Sequence, residues 1–394
     1  MAFRILSLDG GGVWALIQVR ALIQLYSPAT TGHEVLADFD LATANSGGSI
    51  TLGGLLEDLP LSTVLGYFET EALRRSIFQP TTKALIGLIS GLTSFGPKFS
   101  AKAKLSALQA LMPKTGAQPL SLVASGLRRA GAANDLHVLI TSFDFDRNGA
   151  CFFRSAQAGS AAWGVGAASD VPLAQAIHAS SNAPVNYFDE PAYIGDGRYW
   201  DGAVAGCNNP VLAGVTEAIT LGVSPADIVA LSIGTGITHL PGPPAQQPAS
   251  GLFAARSEQG FPIDVAKLAG CITDDPPDIA SFLAHVMTGG GGPAPADSRI
   301  VRMNPMISPT LDANQNWSPP GDWTMDQFVY LTNISMAALP QPDVDYISSF
   351  TAWWLADKVY NQPMRMQTDT LSPELGYRTF SGAWAAWNAC KALG

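Results

Sequence analysis

The segment from Phe39 to Ile50, FDLATANSGGSI, joins an apolar run to a helix-forming stretch through a turn of small residues. Strand and helix must pass close together at such a turn, which explains why Ala44, Gly47 and Gly48 are small. The turn holds Ser46 out from the backbone and directs the first free amides of the following helix toward whatever this serine contacts. A serine here is either a nucleophile or an ordinary helix N-cap, and the segment alone favours the N-cap.

Buried strands alternate with helices from the N-terminus to Gly236. Phe3 to Leu8 reads as a strand followed by a glycine turn and a helix, and Asp227 to Ile233 reads as a further buried strand. Asp135 to Ser155 reads as a hairpin. This alternation predicts an α/β fold with a largely parallel sheet, in which sites collect at the carboxyl ends of the strands.

Composition excludes several classes of protein. The 394-residue chain is 47% apolar and 14% charged, enough material for a large core, and its net charge of −10 argues against nucleic-acid binding. The N-terminal apolar run is about five residues, too short for a secretory signal. No run approaches the roughly 18–20 apolar residues of a membrane span. We expect a cytoplasmic protein, with peripheral membrane binding and signal-independent export both left open and the oligomeric state not indicated.

Residues 72–134 carry nine basic and no acidic side chains in an otherwise acidic chain. The same block contains the apolar patch Ala84 to Phe95, and basic residues beside exposed apolar ones are typical of an interfacial lipid-binding surface. A solvated face docked on acidic neighbours is the alternative. We favour a cationic, helical cap that faces lipid, and its expected lipid-facing residues are Arg74, Arg75, Lys83, Lys98, Lys102 and Lys104.

The loop from Asp9 to Gly12 follows the first strand and precedes the first helix. Consecutive glycines let backbone N–H groups approach a bound anion. The loop lacks the spacings of the known phosphate loops, so an oxyanion hole formed by Gly10, Gly11 and Gly12 fits better.

A nucleophilic serine needs a base. None of the five histidines lies in a strand-end motif of the expected kind, whereas the segment RYWDGAVAGCNNP places Asp201 at the end of a strand. An Asp-Gly pair is most often a simple turn. An aspartate that faces Ser46 would instead form a two-member acid–base device with it.

Four motifs carry a resemblance to a known family: DGGG, the serine elbow, Asp201-Gly202 and the LSIGTG that ends at Gly236. They occur in the order seen in patatin-like phospholipases, and the chain resembles that family over Phe3 to Gly236. The resemblance implies a lipid acyl hydrolase that cleaves fatty acyl esters of phospholipids or other lipids at a membrane or micelle interface, without a metal or cofactor. The implied roles are nucleophile for Ser46, base for Asp201, oxyanion hole for Gly10, Gly11 and Gly12, and elbow support for Ala44 and Gly48.

The resemblance also implies an architecture, a three-layer α/β sandwich with a largely parallel central sheet and helical cap insertions. We expect one patatin-like domain over residues 1–394. Its core would span 3–236, its cationic cap about 72–134, and its C-terminal loops and packing helices 237–394.

The chain departs from the family pattern at three points. Ala44 stands where the elbow usually begins with glycine, Trp14 and Ala15 replace a basic residue and glycine after the loop, and the base motif reads DGA rather than DGG. Trp14 favours a second hypothesis, a general carboxylesterase or neutral-lipid hydrolase. A catalytically silent lipid-binding protein is a third.

Overall fold

The computed structural model describes residues 2–81, 97–155, 170–185, 187–242, 251–254, 276–289, 298–364 and 375–392. The strands are β1 (Phe3–Leu8), β2 (Leu41–Ala44), β3 (His137–Asp144), β4 (Gly149–Arg154), β5 (Ala192–Ile194), β6 (Gly197–Asp201), β7 (Ile228–Ile233), β8 (Ile237–Thr238), β9 (Ile300–Met303), β10 (Met306–Ile307), β11 (Thr310–Leu311) and β12 (Trp317–Ser318). The helices are α1 (Leu16–Leu25), α2 (Gly32–Leu36), α3 (Ser46–Leu56), α4 (Leu61–Glu69), α5 (Glu71–Ile77), α6 (Ala101–Leu111), α7 (Leu120–Val123), α8 (Leu173–Ser180), α9 (Val211–Thr220), α10 (Pro276–Met287), α11 (Met325–Thr332), α12 (Gln341–Leu355) and α13 (Phe380–Ala392).

The main sheet is mostly parallel. Strands β3, β2, β1, β7 and β9 lie side by side in parallel, while β4, β5 and β6 join antiparallel at the β3 edge. In register, Leu8 at the end of β1 pairs with Ala44 of β2 and with Ile233 of β7. The carboxyl ends of three neighbouring strands therefore meet at one edge, where the glycine loop, the serine elbow and the LSIGTG turn begin.

Helices cover both faces of this sheet, which confirms the predicted three-layer α/β sandwich. Side chains alternate between the two faces along a strand. Accordingly, Ile5 of β1 packs with Val211 and Val215 of α9 in one apolar cluster, whereas Leu6 and Leu8 belong to the cluster on the opposite face. No described helix is long and apolar enough to cross a membrane.

The C-terminal segment differs from its predicted content. We expected only loops and packing helices beyond residue 236, but β9 adds an edge strand to the main sheet, parallel to β7 and with Ile300 opposite Ala230. Its four residues, IVRM, are all buried. A strand this short, between long stretches of loop composition, has too few residues for its periodicity to be recognised.

Candidate active site

Ser46 occupies a strained elbow between β2 and α3. Its φ is 47°, in the left-handed region that a non-glycine residue enters only at a cost of about 1–3 kcal/mol. The Ser46 N–H donates to Ser180 Oγ at 3.0 Å. Such strain persists only where the surrounding structure holds it, and here it turns the serine toward a cavity rather than toward the helix end.

The small residues of the elbow are required by close packing. A Cβ atom on Gly48 would lie 2.4 Å from the carbonyl oxygen of Leu8, and one on Gly47 would lie 2.4 Å from that of Gly12. Ala44, by contrast, is fully buried in the core cluster, which accommodates its methyl group. The structure thus places both of the expected elbow-support residues directly around the Ser46 turn.

This packing predicts that Gly48→Ala destabilises the fold by about 2 kcal/mol, because the new methyl group meets backbone that cannot rotate away. The matched control is Gly66→Ala in α4, where the nearest atom to a new Cβ is Thr70 Oγ1 at 3.8 Å. That change should stabilise the protein by about 1 kcal/mol through helix propensity. Urea unfolding of the two variants measures the difference, and equal midpoints would contradict the proposed crowding at Gly48.

Asp201 ends β6 beside the elbow, because β6 pairs antiparallel with β3 and sets Asp201 opposite Ser142. The carboxylate is 4% exposed, and its Oδ1 accepts hydrogen bonds from Asn45 Nδ2 at 3.0 Å and from the Ala203 N–H at 2.9 Å. The Asp201 N–H donates to the carbonyl oxygen of Asn182 at 3.0 Å. The side chain is therefore held from several directions.

The structure brings Ser46 and Asp201 together. Burial raises the pKa of Asp201 above 3.8, and the hydrogen bond from the Ser46 side chain is the first of the interactions that lower it. Both residues line a cavity of about 30 Å³ that Gly12 and Gly47 also border. A buried carboxylate beside a serine at one cavity is the arrangement expected of a base and its nucleophile.

Asn45 is a part of this site that we did not predict. Its amide nitrogen donates to Asp201, and its Oδ1 accepts from Thr141 Oγ1 at 2.8 Å. Asn45 thus orients the carboxylate from the residue next to the serine. The only sequence signal was its place at the N-cap position of α3, where asparagine is common for an unrelated reason.

The glycine loop is fixed by residues distant in sequence. The Gly10 N–H donates to the carbonyl oxygen of Asn208 at 2.9 Å, and the Gly10 carbonyl accepts from Thr235 Oγ1 at 2.6 Å. The Val13 N–H donates to the carbonyl oxygen of Met336 at 2.8 Å. Because the Gly10 amide already donates to Asn208, only the Gly11 and Gly12 amides remain as candidates for the predicted oxyanion hole.

Asp9 anchors the start of this loop through a buried ion pair. Its Oδ2 lies 2.6 Å from Arg302 Nη2, and both side chains are almost fully buried. Burial raises the pKa of Asp9, while Arg302 lowers it. Arg302 comes from β9, so the loop is tied to the strand that the sequence analysis missed.

Two of the expected lipid-facing cations are buried, which corrects that prediction. Arg74 is buried, and it donates to the carbonyl oxygens of Phe68 and Glu69 in the last turn of α4, where helix carbonyls lack intrahelical partners, and to that of Leu339. Lys104 is fully buried and borders the cavity of Ser46 and Asp201.

The other four cations differ in their surroundings. Arg75 pairs with Glu71 at 2.7 Å on the surface of α5. Lys98 and Lys102 are exposed. Lys83 and the patch Ala84 to Phe95 lie outside the described residues.

Two larger cavities are lined by neither Ser46 nor Asp201. One of about 540 Å³ is lined by Phe152, Cys207 and Glu217 and borders neither Ser46 nor Asp201. Another, of about 410 Å³, lies against Gly10, Gly11 and Trp14. Of these three cavities, only the small one is lined by both Ser46 and Asp201, and it is therefore the candidate active site. Within the part of the chain that the structure describes, no cluster of three or more His, Cys, Asp or Glu side chains could hold a metal ion.

Comparison with known proteins identifies the family of this chain. The sequence model of the Patatin family, described as patatin-like phospholipase, matches residues 6–215. No curated protein is similar enough in sequence to match. Among solved structures, the crystal structure of VipD from Legionella pneumophila is similar at 10% identity and a TM-score of 0.37, over 100% of this chain and 74% of that one. Since the family match spans more than half of its residues, the chain belongs to the patatin-like phospholipase family.

Proposed function

We propose that this protein is a serine–aspartate lipid acyl hydrolase that works through an acyl-enzyme. Family membership supports lipid acyl hydrolysis in general. The observation that carries the finer assignment is the meeting of a strained Ser46 with a buried Asp201 at one cavity.

The reaction follows from this geometry in two steps. Ser46 Oγ attacks the ester carbonyl while Asp201 accepts the hydroxyl proton, and that proton then passes to the departing alkoxide. Asp201 next takes a proton from a water molecule, whose oxygen attacks the acyl-enzyme and releases the fatty acid. Ser46 recovers its proton, so the enzyme returns to its starting state.

Backbone amides would stabilise the oxyanion in both steps. Gly12 borders the cavity directly, and the Gly11 amide precedes it in a loop held by Thr235 and Met336. One such preorganised donor contributes about 3–4 kcal/mol to transition-state binding. The helix α3 begins at Ser46, so its positive N-terminal end also faces the site.

The walls of the cavity suit an acyl chain. Beyond the dyad they are largely apolar and include Ile50, Ile77, Phe78 and Phe188. A volume of about 30 Å³ holds roughly one water molecule, so these side chains must separate to admit a fatty acyl group. The substrate we propose is a lipid ester presented at a membrane or micelle interface.

A general carboxylesterase or neutral-lipid hydrolase is the second candidate, and two observations favour it. Trp14, which stands where the family usually has a basic residue, is only 8% exposed. Among the predicted cationic contacts, Arg74 and Lys104 are buried and therefore cannot meet a head group. Rates on phospholipid vesicles and on short soluble esters separate the two candidates.

A fluorophosphonate probe tests the proposed nucleophile directly. We expect covalent labelling at Ser46, found by peptide mass spectrometry, and loss of labelling in Ser46→Ala. Ser181 lines the same cavity, but its hydroxyl donates to the Ile177 carbonyl oxygen at 2.7 Å, so Ser181→Ala is the matched control and should label normally. Labelling at another residue, or none in the folded protein, would refute the assignment.

A further inference from the structure

A buried lysine stands beside the proposed dyad. Lys104 lies in α6, is 0% exposed and borders the same cavity as Ser46 and Asp201. An isolated ammonium group is costly to bury, so a lysine at this depth needs specific partners. These partners decide what the residue can do.

The Lys104 ammonium is fully engaged by the protein. Its Nζ donates to the carbonyl oxygen of His178 at 3.1 Å and to Asn182 Oδ1 at 2.9 Å, and it lies 3.9 Å from the centroid of the Phe188 ring. An ammonium group has three N–H donors, and two oxygens and a ring face occupy them. Lys104 therefore has no donor left for a lipid head group.

Asp201 is the negative charge that can balance this ammonium. His178, on α8, is kept neutral because burial and the neighbouring Lys104 lower its pKa to about 2. The Asp189 carboxylate is bound to the backbone at the start of α6, where its Oδ1 accepts a hydrogen bond from the Ala101 N–H at 2.8 Å. Arg74, on the adjoining α5, turns its guanidinium to the carbonyl oxygens of Phe68, Glu69 and Leu339.

Asn182 connects the lysine to the aspartate physically. Its side-chain oxygen accepts from Lys104, and its backbone carbonyl accepts from the Asp201 N–H at 3.0 Å. Its Nδ2 donates to the carbonyl oxygen of Glu190 at 2.8 Å. A movement of the Lys104 ammonium group would therefore shift Asn182, and Asn182 would in turn shift Asp201.

We propose that Lys104 is a positioning residue of the dyad, which fixes Asp201 through Asn182 and keeps its carboxylate ionised by a buried positive charge. The proposal rests on the function proposed above for Ser46 and Asp201. Burial raises the pKa of Asp201, and Lys104 is among the groups that lower it. Reciprocally, burial lowers the pKa of Lys104 and Asp201 raises it.

The test compares Lys104→Met with Lys358→Met, which removes an exposed lysine just after α12. The first readout is the pH profile of kcat/KM on a soluble p-nitrophenyl ester. Without the positive charge, the acid limb of the profile should move to a higher pH by about one unit. At pH values below the limb, kcat/KM should then fall about tenfold, and well above the limb it should change little. Lys358→Met should follow the wild-type profile. A loss of the same size at every pH would indicate a merely structural role and overturn the proposal.

The second readout does not depend on activity. Carbon-13 NMR of labelled aspartate carboxyls, with the Asp201 signal assigned by Asp201→Asn, should show a higher Asp201 pKa in Lys104→Met. If that pKa moves while the protein hydrolyses no ester, the positioning role stands and the proposed function fails. If Asp201 titrates as in the wild type, the positioning role is wrong.

A reciprocal measurement covers the case in which Lys104→Met does not fold. Coupling between two sites is mutual, so Asp201→Asn should lower the pKa of Lys104 by a similar amount. Nitrogen-15 NMR of the lysine ammonium groups measures this in a variant that keeps Lys104. An unchanged Lys104 titration would overturn the proposal.

Discussion

Ser46→Ala is expected to reduce kcat/KM for ester hydrolysis by about 10⁴- to 10⁶-fold, the range found when the nucleophile of a serine hydrolase is removed. The reason is that no acyl-enzyme can form without the serine hydroxyl. Water must then attack the bound ester directly, helped only by substrate binding and by the oxyanion amides. Initial rates on a soluble p-nitrophenyl ester and on a phospholipid vesicle measure the loss. Ser181→Ala should retain activity, because its hydroxyl is directed to the Ile177 carbonyl oxygen.

The strain at Ser46 supplies a second control for the same position. Glycine adopts a φ of 47° without penalty, so Ser46→Gly should be more stable than the wild type by about 1 kcal/mol while being equally inactive. If a variant is inactive but more stable than the wild type, its loss of activity cannot be due to unfolding. Activity within tenfold of the wild type in either Ser46 variant would contradict the assignment.

Asp201→Asn is expected to lower kcat by about 10⁴-fold. The amide is nearly isosteric and keeps an oxygen that can accept from Asn45 and Ala203, but it cannot take a proton from Ser46. The matched control is Asp196→Asn, an exposed carboxylate between β5 and β6 on the same hairpin, which should leave kcat unchanged. Retained activity in Asp201→Asn would exclude it as the base.

The same residue sets the expected pH dependence. A general base works as the carboxylate, so activity is present above the pKa of Asp201 and is lost as the pH falls through it. Because burial raises this pKa, the acid limb of kcat/KM should lie above 3.8. A limb at or below that value would show that another group titrates.

Features defined by local sequence were predictable. The strand Phe3–Leu8, the elbow at Ser46 and the strand that ends at Asp201 are each specified within about ten residues by apolar runs and turn residues. Because each motif follows a predicted strand, we could also predict that the serine, the aspartate and the glycine loop lie at one edge of the sheet.

Features defined by tertiary contacts were not predictable. A lysine in a basic, amphipathic segment looks the same whether its ammonium meets water or the carbonyl oxygen of His178, 74 residues away. The use of the Gly10 amide by Asn208 and the pairing of Asp9 with Arg302 are likewise invisible until distant segments meet. Burial of these polar groups depends on partners that no local pattern encodes.

The anchoring of the glycine loop has a consequence for the newly synthesised chain. Its supports come from Thr235, Arg302 and Met336, each far downstream of the loop. Ser46, Asp201 and all three glycines leave the ribosome before any of these three supports. The nascent protein therefore contains Ser46 and Asp201 before the glycine loop has its supports, and the proposed site is complete only after the C-terminal third of the chain has docked.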